Sequence, residues 1–183
     1  MKRAFSMLEL VFIIVVIGIL AAIIIPSTRT NPVAEAAIRL IENIRYTQHL
    51  ALIDDKYDDN NATWYRNRWQ IVFSGAGNKN FSIVSDNNTT FAKNPENPAN
   101  NLQNIELQGV TVNLTNGCNG QTIISFDHLG RPMIGSLAAT TAPYTVAVAA
   151  GQLLNANCTI TVTDGTEATV LTMQPETGYV SGI

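Results

Sequence analysis

Residues 5–25 read FSMLELVFIIVVIGILAAIII, a stretch in which Glu9 is the only ionisable side chain. At about 1.5 Å per helical residue, this stretch would reach roughly 30 Å, the thickness of the hydrocarbon core of a bilayer. Lys2 and Arg3 precede it, and such charges favour a cytoplasmic N-terminus. The stretch therefore predicts a single transmembrane helix that ends at Pro26.

Two other interpretations of this stretch leave features unexplained. A secretory signal peptide would have a shorter apolar core and a small-x-small cleavage site, which the sequence around Pro26 does not offer. A plain membrane anchor accounts for the hydrophobicity but not for Glu9. A carboxylate near the bilayer centre costs about 2–3.5 kcal/mol and usually marks a partner.

The residues from Ala4 to Glu9, AFSMLE, closely resemble the class III signal of type IV pilins and type II secretion pseudopilins. The resemblance implies that a prepilin peptidase cuts between Ala4 and Phe5 and methylates the new amine of Phe5. It also implies that Glu9 pairs with the N-terminal amine of a neighbouring subunit during assembly. Gly18 and Pro26 lie where helices of this family loosen or bend, and proline lacks the N–H that would continue the helix. The family usually has glycine where this chain has Ala4.

Residues 27–54 are predicted to continue this helix as an amphipathic segment. Asn31 and Pro32 suit an N-cap and a first helical position. Beyond them, apolar residues recur near the helical period at Val33, Ala36, Ala37, Leu40, Ile41, Ile44 and Ala51.

From residue 55 onward the sequence changes to short β-like runs separated by Gly, Asn and Pro. Strands are predicted at residues 69–73, 81–85, 110–114, 122–126, 144–149, 159–163 and 169–173. Residues 86–104 are predicted to form a long loop.

The whole is predicted to be an α+β pilin fold, in which one long N-terminal helix packs on an antiparallel β-sheet. The helix has a transmembrane half and an amphipathic half. The segments are a leader at 1–4, a transmembrane and assembly helix at 5–26, its amphipathic continuation at 27–54, and a β-rich periplasmic domain at 55–183.

Charge and cysteine content limit the function classes. The formal net charge is -3, and removal of Lys2 and Arg3 with the leader would make it -5, so the bulk electrostatics do not favour nucleic acid. Cys118 and Cys158 are the only cysteines. An even pair in an exported domain predicts a disulfide, with two buried free thiols as the alternative.

Two later segments narrow the resemblance. Residues 124–132, ISFDHLGRP, and 173–180, MQPETGYV, resemble elements of the H-type minor pseudopilins of the GspH/FimT group. The resemblance implies a structural subunit of a type II secretion pseudopilus or type IV pilus-like fibre, with no enzymatic activity, cofactor or metal. Its expected location is the bacterial inner membrane, as a single-pass protein with a cytoplasmic N-terminus and a periplasmic domain. The implied partners are other pilins, a prepilin peptidase and inner-membrane lipid.

A DNA-uptake minor pilin and a plain membrane-anchored periplasmic binding domain remain alternatives. Some relatives in the FimT branch bind DNA through basic residues near the C-terminus. Residues 178–183 contain none, so we do not expect DNA to be a partner.

Three clusters were weighed as sites. Asp127, His128 and Arg131 suggest catalysis, but no nucleophile motif accompanies them, and a tight turn around Gly130 accounts for the pattern. Residues 64–69, WYRNRW, suggest a single-strand nucleic-acid platform, whereas strand alternation would place some rings in the core and the arginines in solvent.

The third cluster consists of four aspartates after the amphipathic helix, namely Asp54, Asp55, Asp58 and Asp59. Clustered carboxylates are what Ca²⁺ requires, but the spacing does not match an EF-hand loop. A solvated helix end is the favoured interpretation.

Overall fold

The computed structural model describes residues 7–24, 31–140 and 144–182. The chain divides into two compact units, Met1–Asn31 and Pro32–Ile183. Among these residues, the first unit has one helix, and the second has a helix packed on two antiparallel sheets.

Helix α1, Met7–Ile24, is the element of the first unit. Its 18 residues span about 27 Å, less than the roughly 30 Å of a hydrocarbon core, and Glu9 lies in its first turn. Among residues 7–24, 31–140 and 144–182, no helix combines the length and the apolar character needed to cross a membrane. The predicted single-pass inner-membrane localisation, which required such a helix, is therefore wrong.

Helix α2, Pro32–Ile53, begins the second unit. The predicted single long N-terminal helix is wrong, because Asn31 lies outside any helix and Pro32 is the first residue of α2. Proline has no N–H to donate to the preceding turn, and its ring disfavours the helical conformation of the residue before it. Pro32 therefore suits the first position of α2 but not the interior of a longer helix.

Within the described residues, ten strands form two antiparallel sheets. The first sheet has the order β3-β2-β1-β6-β7, with β4 also paired to β2, and the second has the order β10-β9-β8-β5. The strands are β1 Gln70–Ser74, β2 Asn80–Ser85, β3 Thr90–Phe91, β4 Ile105–Glu106, β5 Thr111–Asn116, β6 Ile123–Phe126, β7 Pro132–Ile134, β8 Cys158–Thr163, β9 Ala168–Met173 and β10 Val180–Ser181.

The apolar stripe of α2 forms the centre of the core. Its buried residues are Val33, Ala36, Ala37, Leu40, Ile41, Ile44, Thr47 and Ala51. The helix contacts β1 and β6 of the first sheet and β8, β9 and β10 of the second. Inward residues of both sheets, such as Ile71 and Ile160, are completely buried in the same cluster. The stripe therefore joins the two sheets into one core.

Residues 144–149, predicted as a strand, begin a short helix instead. Helix α3 covers Val146–Gln152, and the Thr145 hydroxyl accepts a hydrogen bond from the N–H of Val148 at 3.3 Å. A threonine in this position satisfies one of the free N–H groups at a helix start. The strand prediction is wrong because alternation of small apolar residues over so short a run does not exclude a capped helix.

A disulfide joins Cys118 to Cys158, as predicted from the cysteine count. Both residues are completely buried, and Cys158 opens β8 while Cys118 follows the end of β5. The Asn116 and Cys158 positions are register partners, so the bond closes one end of the β5–β8 pair.

Replacing both cysteines by serine is expected to lower the free energy of unfolding by about 4 kcal/mol, because the bond closes a loop with a sequence separation of 40. Urea unfolding of the double variant and of the parent, followed by circular dichroism, measures the difference. An unchanged unfolding midpoint would show that the bond does not constrain the unfolded chain.

Candidate functional site

Over residues 7–20, helix α1 is apolar on every side, and its side chains are exposed. Met7 is 89% exposed and Val15 in the middle of the helix is 53% exposed. Its large exposed apolar residues are Met7, Leu8, Leu10, Val11, Phe12, Ile13, Ile14, Val15, Val16, Ile17, Ile19 and Leu20. A helix with an apolar surface all round is stable in proteins when other apolar surfaces cover it. The apolar side chains of α1 surround one carboxylate, that of Glu9, which is also exposed.

The structure describes only some of the residues that were predicted for processing and for helix bending. Ala4, Phe5 and Pro26 lie outside the described residues. Gly18 lies inside α1, with helix on both sides of it, and a Cβ there would meet nothing within 4 Å. Cleavage at Ala4, pairing of Glu9 and bending at Gly18 and Pro26 stay predictions.

Two turns that the sequence analysis singled out meet at one side chain of α2. The Gln48 Nε2 donates to the carbonyl of Gly130 and to the carbonyl of Thr177, both at 2.7 Å. Gly130 and Gly178 have φ angles of 76° and 63°, which L side chains rarely adopt. The segments around them, far apart in sequence, therefore form one junction, which we call the Gln48 junction and which comprises Gln48, residues 127–131 and residues 174–179.

The first turn of the Gln48 junction is organised by Asp127. This residue is 2% exposed, and its Oδ1 accepts from the N–H groups of Leu129 and Arg131 while its Oδ2 accepts from the Arg131 Nε at 2.8 Å. Both carboxylate oxygens are thus used to hold the turn. This arrangement supports the structural interpretation of the Asp127, His128 and Arg131 cluster.

The second turn leads into the last strand. The Arg45 guanidinium lies 5.6 Å from the centre of the Tyr179 ring and donates to the carbonyl of Val180 at 3.0 Å. Tyr179 is 56% exposed and Leu129 of the first turn is 61% exposed. The junction therefore holds two large side chains in solvent on firmly fixed turns.

The aspartates after α2 serve different contacts. The Asp54 carboxylate accepts from Trp69 Nε1 at 2.9 Å and pairs with Lys56 Nζ at 2.8 Å. Asp55 and Asp58 accept from backbone N–H groups two residues onward. Within the described part of the chain, no three His, Cys, Asp or Glu side chains are grouped to hold a metal ion.

The contact between Asp54 and Lys56 shifts the pKa of both side chains. Burial alone would raise the pKa of Asp54, but the hydrogen bonds from Lys56 and Trp69 outweigh it and lower the pKa below 3.8. Burial alone would lower the pKa of Lys56, but Asp54 and Asp86 raise it above 10.5. The charged forms are thus favoured in the folded protein.

Aromatic and basic side chains of residues 64–69 contact one another and Tyr144. Trp64–Asn67 is a 3-10 helix rather than part of a strand, and Arg68 is only 8% exposed. The Arg68 guanidinium lies 4.7 Å from the Trp64 ring centre and 4.9 Å from that of Tyr144, and it donates to the Tyr144 hydroxyl at 2.8 Å. Burial raises the pKa of Tyr144, although Arg68 opposes this.

This cluster agrees with one part of the favoured interpretation, because the Tyr65 and Trp69 rings are buried in the core. It contradicts two other parts, since residues 64–67 form a 3-10 helix rather than an alternating strand and Arg68 is not in solvent. Tyr65 stacks on Tyr144 at 4.4 Å and is completely buried, so its ring is not open to stack on a base. A cation close to the faces of two rings gains a favourable electrostatic contact that offsets part of the cost of its burial.

Sequence reasoning missed the role of Gln48. One feature of the sequence could have pointed to this role. Gln48 is a polar amide one position beyond Thr47, at the edge of the apolar stripe of α2, and a side chain at that edge reaches the rim of the core. No pattern in the sequence says which carbonyl groups it would meet.

Comparison with known proteins gave no match to any family profile, curated protein or solved structure.

Replacing Gly178 by alanine is expected to destabilise the fold by about 1–3 kcal/mol. The added Cβ would lie 2.8 Å from Gln48 Nε2 and 3.1 Å from the Gly130 carbonyl oxygen, and φ is positive. Chemical denaturation of the variant measures the loss.

Gly120→Ala is the matched control, since φ there is 69°, close to the 63° of Gly178, but a Cβ would meet nothing within 4 Å. It should show the backbone strain alone. Equal losses in the two variants would mean that the packing at the Gln48 junction contributes nothing.

Stability is expected to fall in acid partly through Asp54. A lowered pKa means that its contribution is fully present above about 3.9 and is lost as pH falls through the folded-state pKa. Asp54→Asn should therefore show a smaller loss of stability between pH 5 and pH 2, in urea unfolding, than the parent.

Asp59→Asn is the control, because Asp59 is exposed and contacts Asn60 rather than Lys56 or Trp69. The assignment to Asp54 fails if both variants lose stability in acid as the parent does.

Proposed function

We propose that this chain is a structural subunit of a pilin-like fibre, of the pilin or pseudopilin kind, and that α1 is its assembly element. The observation that carries the proposal is the surface of α1, which is apolar on every side and exposed along Met7 to Leu20. The segment from Ala4 to Glu9, which resembles a prepilin signal, supports the same function.

The natural cover for such a helix is a set of similar helices. Full burial of one Leu, Ile, Val or Phe side chain stabilises by about 1.5–3 kcal/mol relative to exposure. Side chains such as Phe12 and Ile14 extend around the helix, so a bundle covers them better than a single flat surface. Packing with copies of α1 or with related subunits would therefore drive assembly.

Glu9 would set the register of this packing. It is the one ionisable side chain of α1 and lies in the first turn. A charge buried among apolar helices is tolerated only when it is paired. The N-terminal amine of Phe5 in a neighbouring subunit, exposed after prepilin cleavage and methylation, is the proposed partner.

The unit Pro32–Ile183 would be displayed by the fibre. It has its own core, a disulfide and the Gln48 junction, so it can remain folded whatever α1 contacts. Leu129 and Tyr179, which the junction holds in solvent, are suited to contacts with other subunits.

Replacing Glu9 by alanine is expected to reduce incorporation of the full chain into fibres at least about tenfold, because the register-setting pair is lost. The measurement is the amount of chain in the sheared, sedimented fibre fraction of host cells relative to total chain. Mass spectrometry of the parent in that fraction should show a chain that begins at Phe5 with a methylated amine.

Glu35→Ala is the matched control, since Glu35 is an exposed carboxylate in the first turn of α2. Val15→Lys should also abolish incorporation by placing a charge in the middle of α1. Normal incorporation of the Glu9 and Val15 variants, or an uncut N-terminus in the fibre fraction, would refute the proposal.

A further inference from the structure

A cavity of about 180 Å³ lies between α2 and the loop that follows β3. On the helix side it is lined by Arg39, Glu42 and Tyr46, which share one face of α2. On the loop side it is lined by Asn94 and Glu96. Its volume is below the roughly 300–1,000 Å³ of sites that take drug-sized ligands, so an occupant would be small.

The walls of the cavity are fixed before any ligand enters. The Tyr46 hydroxyl donates to the carbonyl of Lys93 at 3.1 Å, which ties helix to loop. Leu102 at the base is buried, and its N–H donates to the carbonyl of Ala92 at 2.8 Å. Asn94 and Asn100 form a further backbone hydrogen bond across the loop at 3.0 Å. A preformed site loses less entropy on binding than a mobile one.

The charged side chains around the cavity are not paired with each other. Among the described residues, no ion pair within 4.0 Å joins Arg39 to Glu42 or to Glu96. One guanidinium and two carboxylates therefore remain available at the same small cavity.

The two amides of the cavity have fixed orientations and leave complementary groups available. Asn94 Oδ1 accepts from the N–H of Glu96 at 2.9 Å, so its Nδ2 remains as a donor. Asn43 Nδ2 donates to the carbonyl of Arg39 at 2.7 Å, so its Oδ1 remains as an acceptor.

These groups select the chemistry of the ligand. A metal ion would be repelled by Arg39, and a simple anion would be repelled by Glu42 and Glu96. A molecule that carries an ammonium and a carboxylate on one small frame satisfies both sets. We propose that this cavity binds a free α-amino acid with a small or medium-sized apolar side chain.

In the bound state Arg39 and the Asn94 Nδ2 would bind the α-carboxylate, because both are donors and guanidinium–carboxylate pairs are strong. Glu42, Glu96 and the Asn43 Oδ1 would accept from the α-ammonium. The Tyr46 ring would contact the apolar side chain. The site lies within Pro32–Ile183, so the proposal stands independently of the assembly role of α1.

The test is isothermal titration calorimetry of the full chain in a non-ionic detergent with glycine, L-valine and L-leucine. Saturable binding of at least one of them is expected. N-acetyl-L-leucine, which lacks the ammonium, and L-leucinamide, which lacks the carboxylate, should bind at least about tenfold more weakly than L-leucine if L-leucine binds. In NMR spectra the side-chain amide signals of Asn94 should shift with the amino acid that binds.

Arg39→Gln and Glu96→Gln should each weaken binding about tenfold or more, while the controls Lys79→Gln and Glu35→Gln, at exposed charges outside the cavity, should not. All four changes are at exposed side chains, so circular dichroism should show an intact fold. Absence of saturable heat with all three amino acids, or equal binding to the Arg39→Gln variant and the parent, would overturn the proposal.

Discussion

The packing of one apolar stripe of α2 against two separate sheets is the constraint on which the second unit depends. Each sheet alone has one face to bury, and Leu40, Ile44 and their neighbours cover part of both. Even the polar residue in the stripe is satisfied, because the buried Thr47 hydroxyl donates to the carbonyl of Asn43 at 2.7 Å. The position of Gln48, beside that stripe, follows from the same packing.

Periodicity predicted this part of the fold well. The seven apolar positions that were predicted on α2 are all buried, and six of the seven predicted strands match β1, β2, β5, β6, β8 and β9 to within about two residues. The short strands β3, β4, β7 and β10 were not predicted, and β3 lies in the stretch predicted to be a loop. The errors have local causes. Pro32 begins α2 rather than lying inside a longer helix, and Thr145 caps a helix in a run that alternates like a strand.

The site was less predictable, because its contacts join residues distant in sequence. Residues 124–132 and 173–180 were recognised separately, yet what unites them is Gln48, which lies 82 and 129 residues from its two acceptors. The disulfide between Cys118 and Cys158 was easy to predict, since two cysteines allow only one pairing. Strand alternation predicted Arg68 in solvent, but residues 64–67 form a 3-10 helix, and the rings of Trp64 and Tyr144 beside the Arg68 guanidinium allow its burial.

The asparagine-rich loop after β2 has a consequence for the handling of this protein. Asn94 and Asn97 side chains cap their own turns, and Asn87, Asn88 and Asn104 adopt positive φ angles that asparagine tolerates. Cleavage by a protease requires a segment to open locally into an extended form. The composition of this loop suggests an easy cleavage site, but its own side chains hold it closed. Proteases are therefore expected to cut it slowly in limited proteolysis.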